Sequence, residues 1–166
     1  MIFETNRLCV RKLRIEDFDA FHEMQSNANV MQYVRGTAMT LEDNKEELLK
    51  LIDFYSKPYN DFWIYAIERK EDSAFVGTIA LVKDNENNDE IGYRFLEEYW
   101  GFGYGFEIVK GLVNYCKKIR LPKIIAYVAI KNVASTKIIE KLDFELVGDF
   151  VSKELNIPER KFILEL

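Results

Sequence analysis

The chain has 166 residues, 48% of them hydrophobic and 14% aromatic, which supplies a substantial core for one domain over residues 1–166 and argues against disorder. Its formal net charge of −5, with Lys and Arg interspersed among Asp and Glu, leaves no basic face for a nucleic-acid backbone. Two distant cysteines, Cys9 and Cys116, and a single histidine, His22, suggest neither a zinc cluster nor a disulfide scaffold, so no metal is expected and a reducing cytoplasm suits the chain. The start MIFETNRLCVRKL carries charges where a signal peptide needs an apolar run, and no segment approaches about 18 uninterrupted apolar residues, so a soluble protein away from membranes is expected.

In chain order, RLCVRKL reads as a first strand. Phe18, Phe21 and Met24 recur at helical spacing in IEDFDAFHEMQ, with Glu16, Asp17 and Asp19 in the first turn, where the positive end of the helix dipole favours them. His22 falls on the exposed side of that helix. Thr40 is placed to cap a second helix whose apolar stripe is Leu48, Leu49, Ile52 and Tyr55. DFWIYAIER, AFVGTIALVK and EIGYRFL then read as three strands joined by short turns, hence antiparallel, with DNENND as the second turn. Ile108, Val109, Leu112, Val113, Cys116 and Ile119 line one side of a long helix that Leu121 and Pro122 stop. The continuous apolar run KIIAYVAI predicts a strand covered on both faces, reached by a helical crossover and therefore parallel to EIGYRFL. A short helix starting at Asn132 turns Ile138, Ile139 and Leu142 inward, and FELVGDFV with KFILEL closes the chain as a strand pair. The fold class is α/β with a mixed sheet.

The chain has 8 glycines, and Gly101, Gly103 and Gly105 stand at alternate positions in EEYWGFGYGFEIVKGL, between a predicted strand and a predicted helix. A strand, a glycine turn and a helix start present several backbone N–H groups to one point, unhindered by Cβ atoms, at the positive end of a dipole. That arrangement suits an anion such as a pyrophosphate; the plainer reading is a tight turn with close helix packing. A dinucleotide fingerprint fails because Phe106 holds its third glycine position and Lys131 stands where an acidic ribose ligand belongs. A P-loop fails for want of Gly-Lys-Ser/Thr.

The runs IGYRFLEEYWGFGYGFEIVKGLVNYC and AIKNVASTKIIEKLDFELVG, with ETNRLCVRKL at the start, resemble the GNAT N-acetyltransferases, and within them the branch of the ribosomal-protein alanine acetyltransferases RimJ and RimL. The resemblance spans almost the whole chain. Its motif Q/R-x-x-G-x-G/A maps to Trp100, Gly103 and Gly105. It implies a mostly antiparallel sheet whose one central parallel pair splays to hold acetyl-CoA, with the pyrophosphate on the amides of Gly101, Phe102, Gly103, Tyr104, Gly105 and Phe106. The acceptor is then a primary amine that attacks the thioester directly, in a monomer or homodimer; a CoA-binding sensor or interaction module without turnover is the alternative.

Direct transfer needs a polarised carbonyl, a proton for the departing thiolate and a base for the amine. Backbone N–H groups of Phe95 or Leu96 are the candidates for the carbonyl. Ser135, in the NVAS stretch, is the family-implied proton donor, though a serine there equally suits a first helical turn. Asn132 is both a good N-cap and the family's contact to the cofactor arm. Glu90 is the candidate base, with Glu68 behind it; Glu107, in a first helical turn, reads as structural. Tyr93 reads as cleft wall or core. Two departures from the family stand out. Phe102 replaces a usual Lys or Arg, and Asp143 replaces the glycine of EKLGF at a left-handed helix end. The acceptor is left open, because the loops SNANVMQYVRGTAM and SKELNIPER carry no readable code.

Overall fold

The computed structural model describes residues 1–152 and 155–166. Its strands are β1 (Phe3–Glu4), β2 (Leu8–Lys12), β3 (Phe62–Arg69), β4 (Phe75–Lys83), β5 (Asp89–Phe95), β6 (Lys123–Ala129), β7 (Glu145–Val151) and β8 (Pro158–Glu165). The helices are α1 (Phe18–Ser26), α2 (Ala28–Met31), α3 (Leu41–Phe54), α4 (Tyr104–Lys118) and α5 (Val133–Lys141). Among the described residues the strands form one sheet in the order β1-β2-β3-β4-β5-β6-β8-β7. Every neighbouring pair is antiparallel except β5 with β6, which the α4 crossover makes parallel.

Two apolar clusters cover the two faces. On one, Ile108, Val109, Leu112 and Cys116 of α4 and Ile139 of α5 pack on Ile79, Ile91, Phe95 and Ile124. On the other, Phe21 and Met24 of α1 and Leu48 and Leu51 of α3 pack on Ile64, Ala66 and Phe75. Thr40 caps α3 through a reciprocal pair, its hydroxyl taking the Asp43 N–H while the Asp43 carboxylate takes the Thr40 N–H.

The predicted strands and long helices form where the sequence places them, with three differences. The stripe of α3 runs through Asn44, Leu48 and Leu51, and Leu49 is 47% exposed, because a 3.6-residue period from Leu48 returns to position 51 or 52 and leaves 49 turned outward. Helix α4 ends at Lys118 and the chain reverses at Arg120 (φ 62°), so Ile119 lies outside the apolar face. His22 is half-buried, stacked on Phe18 and 2.8 Å from Asn44 Nδ2. The last two strands pair with each other as expected, and β8 also pairs with β6, which puts it inside the sheet. Asp143 adopts the left-handed conformation expected of the glycine it replaces (φ 62°).

Candidate functional site

Strands β5 and β6 share one registered pair, Glu90 with Ile125, and then part toward the C-terminal end of β5. The antiparallel ladder with β4 decides which amides that gap receives. Leu96 N–H donates to Val76 O at 3.0 Å, so the neighbouring Phe95–Gly77 position is a non-hydrogen-bonded pair and the Phe95 N–H points away from β4 into the gap. The two amides proposed for a carbonyl oxygen are thus distinguished: Leu96 is spent on the sheet and Phe95 is presented. Trp100 Nε1, in the motif position, donates to Phe95 O at 3.1 Å and fixes that peptide from its other side.

The three glycines do different work. Gly101 and Gly103 have φ of 83° and 77°, a region that glycine enters without Cβ strain. Gly103 is the N-cap of α4 and brings no side-chain acceptor, so the first-turn amides of Tyr104, Gly105 and Phe106 lack intrahelical partners and lie at the positive end of the dipole. A Cβ at Gly101 would meet nothing within 4 Å, so open space adjoins the turn and an anion can approach the backbone. Gly105 serves packing instead, for a Cβ there would lie 2.8 Å from Ile138 Cδ1 of α5 and 3.4 Å from Tyr93 Cε2.

Phe102 is exposed and stacks on Tyr104, with ring centroids 5.8 Å apart. A cation from another element stands beside position 102. Arg7 Nη1 donates to Phe102 O at 3.0 Å, and its guanidinium sits 4.5 Å over the Tyr104 ring. Glu107 anchors this arginine through Arg7 Nε and Arg7 N, each at 2.7 Å, and takes the Thr5 hydroxyl at 2.6 Å, which is the structural role its place in α4 suggests. A groove of about 450 Å³ bordered by Arg7, Gly103, Phe106 and Lys110 runs beside the turn. Nothing local in the sequence ties Arg7 to a turn 95 residues away.

Across the gap, Asn132 caps α5 by accepting the Ser135 N–H at 3.2 Å. The Ser135 hydroxyl is not spent on that cap: its Oγ lies 3.0 Å from Tyr93 Oη. Burial pushes the Tyr93 phenol above its usual range, and the Ser135 contact opposes that only in part, so the pair stays protonated at neutral pH. The partnership was invisible in sequence because it depends on the close α4–α5 approach that Gly105 permits. The carboxylates fare differently. Glu68 is ion-paired with Arg11 at 2.5 Å, in a cluster completed by Asp17, and is committed to the β2–β3 side of the sheet. Glu90 stands at the closed end of the gap, five positions from Phe95, or about 16 Å along an extended strand.

Residues 7–145 match the family model described as the acetyltransferase (GNAT) domain. The chain belongs to the GNAT acetyltransferase family. YnaD of Bacillus subtilis (strain 168), described as an uncharacterized N-acetyltransferase, is 31% identical over 152 residues, covering 90% of this chain and 86% of YnaD. A solved GNAT-family acetyltransferase from Bacillus anthracis superposes with a TM-score of 0.85 at 25% identity, covering 98% of this chain and 97% of that one. A spermidine N-acetyltransferase from Vibrio cholerae, solved with CoA and spermine, superposes with a TM-score of 0.80 over 96% of this chain and 95% of that one; at 19% identity this likeness is one of fold. The chain is therefore a GNAT N-acetyltransferase, and its parted parallel pair beside a glycine turn takes its place in that fold.

The GNAT sheet has a second face at this point. Asn27 and Asn29, at the start of α2, donate to the two oxygens of Glu97 at 2.6 and 3.0 Å and tie the segment after α1 to the turn that follows β5. Of the two loops the sequence left unread, the first is tied by these bonds to Glu97, just past β5; in the second, Lys153 and Glu154 lie outside the described residues. Among the described residues no cluster of His, Cys, Asp and Glu could hold a metal ion, and no helix is long and apolar enough to cross a membrane.

Proposed function

We propose that this GNAT protein transfers the acetyl group of acetyl-CoA to a primary amine by direct attack of the amine on the thioester, with residues 1–166 acting as one catalytic domain in the cytoplasm. The observation that carries this reading is the Phe95 N–H turned into the gap where β5 leaves β6, next to a glycine turn that opens onto an uncapped helix. Bound acetyl-CoA supplies a thioester carbonyl carbon open to a neutral amine. The residues of the chain then divide the remaining work. The amides of Gly101 to Phe106, with Arg7 beside them, hold the pyrophosphate by charge-assisted hydrogen bonds. The Phe95 N–H donates to the carbonyl oxygen as negative charge builds on it, while the Trp100 bond keeps that peptide from rotating.

Ser135 gives its proton to the departing thiolate, Tyr93 passes one to the serine across 3.0 Å, and the phenol regains a proton from solvent, which takes up the proton the amine loses. Asn132 holds the turn that carries Ser135. Glu90 is far from Phe95, so a proton it accepts travels through solvent, and the pH–rate profile of Glu90→Gln decides its share. Trp100 in the Q/R position and the NVAS helix start support placement in the RimJ/RimL-like branch. A panel of amines assayed for CoA release from acetyl-CoA tests the proposal. Turnover with at least one amine is expected; stoichiometric acetyl-CoA binding without turnover on any amine or peptide N-terminus would leave a binding module instead.

A further inference from the structure

Along β5, Ile91, Tyr93 and Phe95 face α4 and α5, and the alternate residues Gly92 and Arg94 face α1, α2 and α3. Arg94 is partly buried there. Its Nη1 donates to Gln25 Oε1 and lies 3.7 Å from Met31 Sδ. Among the described residues its Nε and Nη2 have no hydrogen-bond partner, and neither belongs to the fully buried atoms left unsatisfied, so both face accessible space. No carboxylate of a described residue pairs with it. Glu47, whose charge it feels, is already held by Arg35 Nη2 at 2.8 Å and by Gln25 Nε2 at 3.2 Å. Three charges meet here, two of them pair, and the Arg94 cation is left over.

This guanidinium is also held in place. Gln25 and Asn44 are fully buried and bonded to each other at 2.7 Å, which fixes the Gln25 oxygen that positions Arg94. Burial lowers the Arg94 pKa to about 10, which leaves it charged at neutral pH. A partly buried guanidinium without a counterion is incompletely compensated, and its planar donor fork matches a carboxylate. Arg94 is adjacent in the chain to Phe95, the residue whose N–H we assign to the acyl oxygen, and lies on the side of β5 away from the glycine turn.

We propose that Arg94 is a specificity-determining residue that binds a carboxylate on the acceptor, so that preferred substrates are amines that also carry a carboxylate, as amino acids do. The inference rests on the acetyl-transfer reading above. Polyamines, with a second cation where Arg94 stands, are disfavoured by like-charge repulsion.

The test uses matched pairs that differ only by the carboxylate: L-leucine with isoamylamine, L-phenylalanine with phenethylamine, and L-lysine with cadaverine. At saturating acetyl-CoA, kcat/KM is expected to favour the amino acid by about tenfold or more, through KM. Arg94→Met should erase the preference, and Arg94→Lys should keep part of it, with the KM for acetyl-CoA unchanged in both. Preference for the decarboxylated member, or a preference that survives Arg94→Met, overturns the proposal. Should Arg94→Met fail to fold, the wild-type ratios and Arg94→Lys carry the same decision. Calorimetric titration of the CoA-loaded protein with N-acetyl-L-leucine against N-isoamylacetamide supplies a readout without turnover. Equal or absent binding of the two overturns the carboxylate proposal, whereas failure of the protein to bind CoA at all overturns the acetyl-transfer reading.

Discussion

A Tyr93→Phe and Ser135→Ala double-mutant cycle tests the heart of the proposed chemistry. Tyr93→Phe deletes one oxygen and keeps the ring that packs beside Phe95, so its direct effect is the loss of the 3.0 Å contact to Ser135 Oγ. A neutral hydrogen bond contributes about 0.5–1.5 kcal/mol, which at room temperature is about a two- to twelvefold fall in turnover if the bond serves to orient and resupply the serine. Ser135→Ala removes the proton donor itself and should lower kcat by about 10- to 1000-fold, around the contribution of a general acid. In the double variant the tyrosine has no serine left to serve, so adding Tyr93→Phe should cost nothing further, a coupling of about 1 kcal/mol. CoA release at saturating acetyl-CoA and amine gives the four rates, and melting curves confirm that all four proteins are folded. Wild-type turnover in Ser135→Ala, or two effects that simply multiply, would refute the relay and return Ser135 to a role at the helix start.

Other outcomes follow from the same geometry. Acetyl-CoA at about 100 times its dissociation constant should stabilise the protein by about 2.7 kcal/mol and raise Tm by several degrees, with no comparable shift from NADH; the reverse pattern in thermal melts would sink the assignment of the turn. Phe102→Lys should tighten acetyl-CoA binding about two- to fivefold at low salt and lose most of that gain at high salt, measured by titration at about 20 and 300 mM. Burial raises the pKa of Glu107, but bonds from Thr5 and Arg7 outweigh it, so its folded pKa lies below the unfolded value. Its stabilisation is therefore present above the unfolded carboxylate range and lost as pH falls through the folded pKa, and Glu107→Gln should flatten the acid limb of a stability–pH curve. An acid limb identical in the two proteins would show that the Arg7–Glu107 contact contributes nothing. Because burial raises the Tyr93 pKa, loss of rate from ionisation of that phenol should set in above about pH 10, and an alkaline limb at pH 8 that disappears in Tyr93→Phe would contradict it.

Much of this architecture was legible because period and punctuation agree. The strand runs of β3 to β5 with their short turns, the 3.6-residue stripe of α4 and the Thr40 cap are local signals, and each formed where the residues placed it. What stayed hidden depends on contacts between distant segments. Nothing around Arg7 announces Phe102, and Ser135 reads as a capping-turn residue until Tyr93 is brought to it. The choice between Phe95 and Leu96 needed the phase of the β4–β5 ladder, which sequence does not supply. Arg94 was readable in part, since a charge in a strand between Tyr93 and Phe95 points to the opposite face, but its lack of a counterion emerges only when α1 and α3 are in place. Two-residue β1 and four-residue α2 are too short to leave a periodic trace.

The interior position of β8 bears on how the protein is made. Strand β6, the far wall of the gap, hydrogen-bonds on its other side to residues 158–165, and Leu166 N–H closes onto Pro122 O at 3.0 Å. In N-to-C order β1 to β6 precede β8, and β6 has an unpaired edge until residues 158–165 are available. The half of the sheet carrying the glycine turn can thus assemble before the wall opposite it, which waits for residues 158–165. Deleting residues 158–166 would strip β7 of its only strand partner among the described residues, and would leave β6 as an exposed edge open to pairing between chains.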